Sequence, residues 1–218
     1  MGPLLFLSSL QYFVVQLLVA SRWRSPYSLS RNTISDLGNT RCGVFSGRLV
    51  CSPLHALMNL SFVGLGVTMI AGSLLISRAA ATTRSLSSGL GCLAISGVGV
   101  ILVGTFPENS NPGAHAIGAA LSFLVGNLGV VTMGLSRSLA LPLRLIALTA
   151  GATTLVALVF YVEDEYLGLG EGGMERIVAY PQTIWLVALG AYLLTRPKGL
   201  RRREPRARLQ RRARWSSH

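Results

Sequence analysis

Six long apolar runs decide what this chain can fold into. With soft edges they cover residues 3–20, 53–76, 89–106, 115–135, 143–162 and 177–195. Each is close to the roughly 18 to 20 residues that a helix needs to cross about 30 Å of hydrocarbon. None carries Asp, Glu or Lys in its interior, and Arg144 sits at an end. Lipid offers the backbone no water, so only helices and closed barrels can span it. Barrel strands alternate apolar and polar residues, and these runs do not. The expectation is an all-α, polytopic transmembrane helical bundle of about six spans over residues 1–195.

Composition agrees. Only 13% of the residues are charged, against about 25% in ordinary soluble domains. The 24 glycines fit membrane helices, where glycine is common. The net charge of +12 is unevenly spread, because ten of the 20 basic residues lie between Arg196 and Arg214. Residues 196–218 read as a basic, disordered cytoplasmic tail. Such a run is drawn to anionic headgroups of membrane lipids by about 1 kcal/mol per residue, and nothing in it specifies nucleic acid.

Sidedness follows from Lys and Arg in short loops. Arg78 and Arg84, Arg137 and Arg144, and the tail fall on one side, read as cytoplasmic. Both termini then lie in the cytoplasm of a multi-pass plasma-membrane protein. Residues 21–52 form an outer loop, yet they carry Arg22, Arg24, Arg31, Arg41 and Arg48. So many Arg outside imply an ordered loop or anionic neighbours. Residues 1–20 lack the positive start of a signal peptide and read as an uncleaved first helix.

Packing signals lie in the middle of the chain. Ala114, Gly118, Ser122 and Gly126 recur every four residues, and Gly91, Gly97, Gly99 and Gly104 stud the third span. Small residues let helix backbones approach closely in lipid, so both spans are expected in the core of a tight bundle.

The polar chemistry gathers on the outer side. Asp36, Glu108, Glu163, Asp164, Glu165, Glu171 and Glu175 all fall in outer loops or at outer helix ends, with His55 and His115. His55 and Asn59 share one helix face, and Gln16, Asn59 and Gln182 are expected within two turns of the outer boundary. Imidazoles and carboxylates of this kind can hold Zn²⁺ or another divalent metal with an open water position, or act as general bases. Asp36, Glu108, His115 and His55 are the metal candidates, although no H-x-x-x-H pair fixes two of them on one helix. Helix-end imidazoles and solvated loop acids are the plain alternative.

Cys42 and Cys51 lie in the same outer loop, where an oxidising exterior permits a disulfide. Cys92 lies within a span and reads as an apolar core residue. Residues 168–173 match G-x-G-x-x-G, but no strand precedes them, so a dinucleotide site is rejected and a flexible loop is expected. Asn59-Leu60-Ser61 matches a glycosylation pattern inside a span and is discarded.

Four stretches carry a family resemblance. They are Asn32-Thr33-Ile34-Ser35-Asp36-Leu37-Gly38; Ser52-Pro53-Leu54-His55 with Asn59; Phe106-Pro107-Glu108 followed by His115-Ala116-Ile117-Gly118-Ala119; and Glu175-Arg176 with Tyr180-Pro181 and Trp185. In order and spacing the chain resembles the prokaryotic integral membrane proteins of the domain of unknown function 998 family, over roughly residues 5–195. The resemblance implies a membrane domain of about six helices and no established activity. It implies recurring polar positions at Ser35, Asp36, Glu108, His115, Glu175 and Arg176, and an apolar residue in many relatives where His55 stands.

Three functions remain open at this point. One is a membrane enzyme, hydrolase-like and metal-assisted, acting on a lipid or amphiphile from the outer leaflet. Asp36, Glu108 and His115 would be its catalytic residues, and Ser35, Asn59, Glu175 and Arg176 would bind substrate, Arg176 taking an anionic headgroup. The second is a small-molecule transporter or binder, and the third a non-enzymatic scaffold. Peripheral acids, with only Asn127 near a midplane, argue against transport.

Overall fold

The computed structural model describes residues 1–24, 27–79 and 83–195; the tail expected at 196–218, with its lipid partners, lies outside them. Six helical units are long and apolar enough to cross a membrane. Helices α1 (Gly2–Ser8) and α2 (Gln11–Ser21) make the first span, and α3 (His55–Ala79) and α4 (Arg84–Thr105) the next two. The fourth joins α5 (Pro112–Ala120), a π-helical turn (Leu121–Val125) and α6 (Gly126–Gly134). Helices α7 (Leu141–Val162) and α8 (Glu171–Thr195) complete the set. Each span packs on its neighbours in the chain and α8 returns to α1, so the six close into a ring.

Glycine makes that ring tight. A Cβ added at Gly99 would lie 2.5 Å from Gly118 O, and one at Gly118 would lie 2.7 Å from Gly99 O. Gly66 and Gly97 face each other in the same way, at 2.4 and 2.7 Å. Lipid tails are as apolar as leucine, so close packing rather than water exclusion holds such helices together. The third span is the most buried of the six, as its glycines implied, although Gly91 meets no neighbour; the fourth is less buried than the second and the sixth and is not a core helix. The four-residue repeat does not run along one straight face, however. The π-helical turn inserts between Gly118 and Gly126, and Gly126 lies against Gln182 and Ser96 instead.

Helix α8 begins at Glu171, not at 177 as expected. Glu171, Glu175 and Arg176 look like loop residues in the sequence, but they are helical and held by partners from residues 27–48. Acids are also favourable near a helix N-terminus. Gln182 therefore lies about three turns inside the helix, deeper than expected. Further along, Pro181 cannot supply the N–H that would bond Ile177 O. Thr154 Oγ1 from α7, which donates to Ala150 O at 2.9 Å, also lies 3.4 Å from that carbonyl, and Asn127 Nδ2 reaches Val178 O at 3.4 Å.

The connections 22–54, 106–111 and 163–170 meet at one end, the loop end. The first holds a 3₁₀ turn (Ser35–Gly38) and a hairpin of β1 (Gly43–Phe45) and β2 (Arg48–Val50), paired antiparallel with Gly43 opposite Val50. Cys42 and Cys51 are bonded across the hairpin base. Residues 168–173 are not a loose loop. Gly170 has φ +75°, and a Cβ on Gly172 would lie 2.2 Å from Asn32 O, so glycine lets the start of α8 meet the first loop's backbone.

Candidate functional site

The site is built on the 3₁₀ turn. Thr33 and Asp36 cap it reciprocally: Asp36 N donates to Thr33 Oγ1 at 3.0 Å, and Thr33 N donates to Asp36 Oδ2 at 3.0 Å. This is the capping-box logic of a Thr followed three residues later by an acid. Arg48, from β2, then grips the fully buried Asp36 with two nitrogens, Nε at 2.7 Å and Nη2 at 3.2 Å. Its Nη1 donates to Glu171 at the start of α8. Burial opposes the charge on Arg48, but the bond to Asp36 and the charges of Asp36 and Glu171 outweigh it and hold the guanidinium above its ordinary range. Arg48, one of the five Arg that defied the charge rule, is thus neutralised inside the fold.

Ser35 sits at the centre of what this turn presents. Its Oγ lies 3.1 Å from His115 Nε2 and donates to Glu175 Oε1 at 3.0 Å in the arrangement with Glu175 ionised. His115 Nδ1 lies 3.0 Å from Phe106 O, which only accepts, so Nδ1 carries a hydrogen. In the neutral ring Nε2 is then a lone pair aimed at Ser35. Ser35 Oγ carries one hydrogen, so it donates either to Nε2 or to Glu175 and not to both at once. The second Glu175 oxygen accepts from Ile34 N, next to Ser35. Glu175 is 2% exposed and His115 7%, whereas Ser35 between them is partly exposed. Asn111 orients the start of α5, its side chain accepting from Ala114 N at 3.1 Å, which places His115 in the first turns.

Below Ser35 the spans line a small cavity of about 40 Å³. Ile34, Ser35 and Glu175 line its loop-end side. Its walls are apolar side chains from five spans, including Tyr12, Phe62, Leu65, Val100 and Phe123. Ser122, Gln182 and Thr183 add polar groups to these walls, and Gln182 is bonded to Ser96 Oγ at 2.9 Å. The two irregular stretches of the spans both line it: Ser122 and Phe123 from the π-helical turn, and Ala179 and Gln182 around Pro181. Such π-bulges occur often at functional sites.

The other expected residues lie around this core with separate tasks. Glu108 accepts from Asn39 Nδ2 at 3.0 Å and adjoins Asp36. Burial, then the charges of Asp36 and Glu175, push its carboxyl up to about 9, so it holds a proton at neutral pH. Asn59 Nδ2 donates to Gly38 O at 2.9 Å and anchors the end of the 3₁₀ turn. His55 Nδ1 bonds Ser52 O at 2.9 Å, at the start of α3. Arg176 donates to the carbonyls of Leu29, Asn32 and Gly172 and to Tyr27 Oη, over whose ring it also stacks. These bonds spend Arg176 on pinning the loop, so the headgroup role expected for it is not carried further.

The metal expectation for Asp36, Glu108, His115 and His55 meets the same difficulty. Among the described residues, no three His, Cys, Asp or Glu side chains are grouped to hold a metal ion. The oxygens of Asp36 face Arg48, Asn32 and Thr33, both nitrogens of His115 are engaged, and His55 stands apart at Ser52. Sequence reasoning did not anticipate Arg48 as the partner of Asp36, Tyr27 as a support of Arg176, or Ser35 as the hydroxyl facing His115. The Thr33-to-Asp36 spacing was the available signal for the turn.

Fold and site define a multi-pass helical membrane protein with a largely buried polar cluster at one end of the bundle. The chain matches the family described as Protein of unknown function (DUF998) over residues 6–192, and it belongs to that family. No curated protein and no solved structure matches it.

Proposed function

We propose that this protein is a serine-type membrane hydrolase that cleaves an ester-like bond in an amphiphile, with its site facing out of the cell. The observation that carries the reading is the Ser35 Oγ to His115 Nε2 contact of 3.1 Å beside a small, mostly apolar cavity. A hydroxyl is a weak nucleophile until a base takes its proton, and the base works best when a third group orients it. Phe106 O is that third group for His115. Glu175 is a positioning residue that fixes Ser35 and the backbone at Ile34.

The steps balance. Ser35 Oγ attacks the ester carbonyl carbon and its proton passes to His115 Nε2. The tetrahedral intermediate collapses, the alcohol leaves with the proton from His115, and the acyl group stays on Ser35. Water entering from the loop end attacks the acyl-Ser35 and gives a proton to His115. Release of the acid returns that proton to Ser35 Oγ. Each cycle consumes one ester and one water and yields one alcohol and one acid.

Sidedness rests on the Lys and Arg distribution, on Arg48 being neutralised within the loop, and on the Cys42–Cys51 bond, which an oxidising exterior favours. In purified, reconstituted protein, p-nitrophenyl octanoate hydrolysis is expected. Ser35→Ala and His115→Ala should each lower it by about a thousandfold or more, as removing a nucleophile or its base does. Wild-type turnover in Ser35→Ala would end the hydrolase reading. For sidedness, Ser110→Cys should react with an impermeant maleimide on intact cells. Reaction only after permeabilisation would reverse the orientation.

A further inference from the structure

We infer that Arg22 and Arg24 hold the phosphate of an anionic phospholipid whose acyl chain lies along the first span, over Leu10, Val14 and Leu18. The inference does not depend on the hydrolase reading.

The charge balance of the first loop carries the argument. Five Arg on the side read as outer need either order or anionic neighbours. Arg48 is spent on Asp36 and Glu171. Arg22 and Arg24 are exposed, and among the described residues neither side chain makes a hydrogen bond or an ion pair. The exposed acids Glu163, Asp164 and Glu165 follow α7, which packs on α6 and α8, whereas the first span packs on α3 and α8. A guanidinium presents paired N–H donors that match phosphate oxygens. At the end of a membrane span, lipid headgroups supply that phosphate.

Height and face place the lipid. The first span ends at Ser21, so Arg22 and Arg24 follow directly at the headgroup level. Trp23 between them packs against the core, its ring 5.1 Å from that of Tyr27, which in turn accepts a bond from Arg176 of α8. Tryptophan is enriched at this interface, and here it ties the stretch to the bundle while both Arg stay exposed. Leu10, Val14 and Leu18 recur every four residues below Arg22, so all four share one helix face. The three are 51%, 62% and 44% exposed. From Leu10 to Arg22 the helix rises about 18 Å, slightly more than the about 15 Å of hydrocarbon in one leaflet. An acyl chain lying on this strip therefore brings its phosphate to Arg22.

Photoreactive phosphatidylglycerol and photoreactive phosphatidylcholine of equal chain length test the site, each added in trace to phosphatidylcholine nanodiscs that hold the full chain. Mapping the crosslinked peptides by mass spectrometry separates residues 10–24 from the basic residues 196–214. An Arg near anionic headgroups contributes about fivefold in affinity, so two contribute about thirtyfold. Phosphatidylglycerol should crosslink residues 10–24 at least tenfold more than phosphatidylcholine does. Arg22→Gln with Arg24→Gln should bring it down to the phosphatidylcholine level, and an unchanged unfolding temperature shows that this variant is folded. Should the double variant fail to fold, Arg24→Gln alone, expected to lower crosslinking about fivefold, tests the same contact. Millimolar glycerol 3-phosphate, which has the phosphate but no tails, should leave crosslinking unchanged. Competition by it would assign the two Arg to free phosphate and overturn the lipid. Equal crosslinking by the two lipids, phosphatidylglycerol adducts confined to residues 196–214, or wild-type crosslinking in the folded double variant overturns the inference and leaves the hydrolase reading untouched.

Discussion

The loop end and the seam between α4 and the fourth span hold together by opposite means. At the loop end a fully buried Asp36 is held by the two-nitrogen grip of Arg48, two backbone N–H groups meet acids, and Arg176 binds three carbonyls. In the seam there is almost no polar chemistry, and Gly99 and Gly118 bring two backbones into contact. Charge-assisted bonds are directional and position side chains to a fraction of an ångström. Glycine contacts fix distance but aim nothing. The difference explains why the candidate chemistry sits at the first and why the second serves as its frame.

The comparison breaks most readily at Arg48. Arg48→Ala leaves Asp36 buried and unpaired, which costs about 3–5 kcal/mol when one partner of a buried pair is removed. Thermal unfolding in detergent should show it as the largest loss of this set. Cys42→Ser frees the hairpin that delivers Arg48, and losing so short a loop closure costs about 2–3 kcal/mol. Gly99→Val forces the seam apart and should cost about 1–3 kcal/mol, as overpacking does. A larger loss at Gly99 than at Arg48 would invert the comparison.

The smallest effect is on pH dependence. Glu108 keeps its proton in the fold up to about pH 9, whereas its ordinary value is 4.5. Between those values the unfolded chain has released a proton that the fold retains, so stability falls as pH rises through that window. Below about pH 4.5 both states are protonated and nothing is lost. Unfolding temperatures measured from pH 5 to pH 9 should therefore decline less steeply in Glu108→Gln than in wild type. Equal slopes would show that Glu108 ionises normally.

The six spans were legible because an apolar run of some 20 residues has few other readings. The start of α8 was not. Buried, paired charges look the same in a sequence as solvated ones, so Glu175 and Arg176 passed for loop. The glycines at 168–173 passed for flexibility although Gly172 is there for close contact with Asn32. Asp36 and His115 stood out as polar residues, but their tasks depended on partners far away in the chain. His115 and Ser35 are 80 positions apart, and no local pattern joins them. Of the five Arg in the first loop, Arg48 is held by Asp36 and Glu171, while Arg22, Arg24, Arg31 and Arg41 are exposed.

The central claim is that Ser35 is a nucleophile activated by His115. Reconstituted protein treated with a fluorophosphonate, digested and analysed by mass spectrometry tests it most directly. The expected result is one phosphonyl adduct on Ser35 Oγ, formed with loss of fluoride and nearly absent in His115→Ala. No adduct on Ser35, or equal labelling without the imidazole, would contradict it.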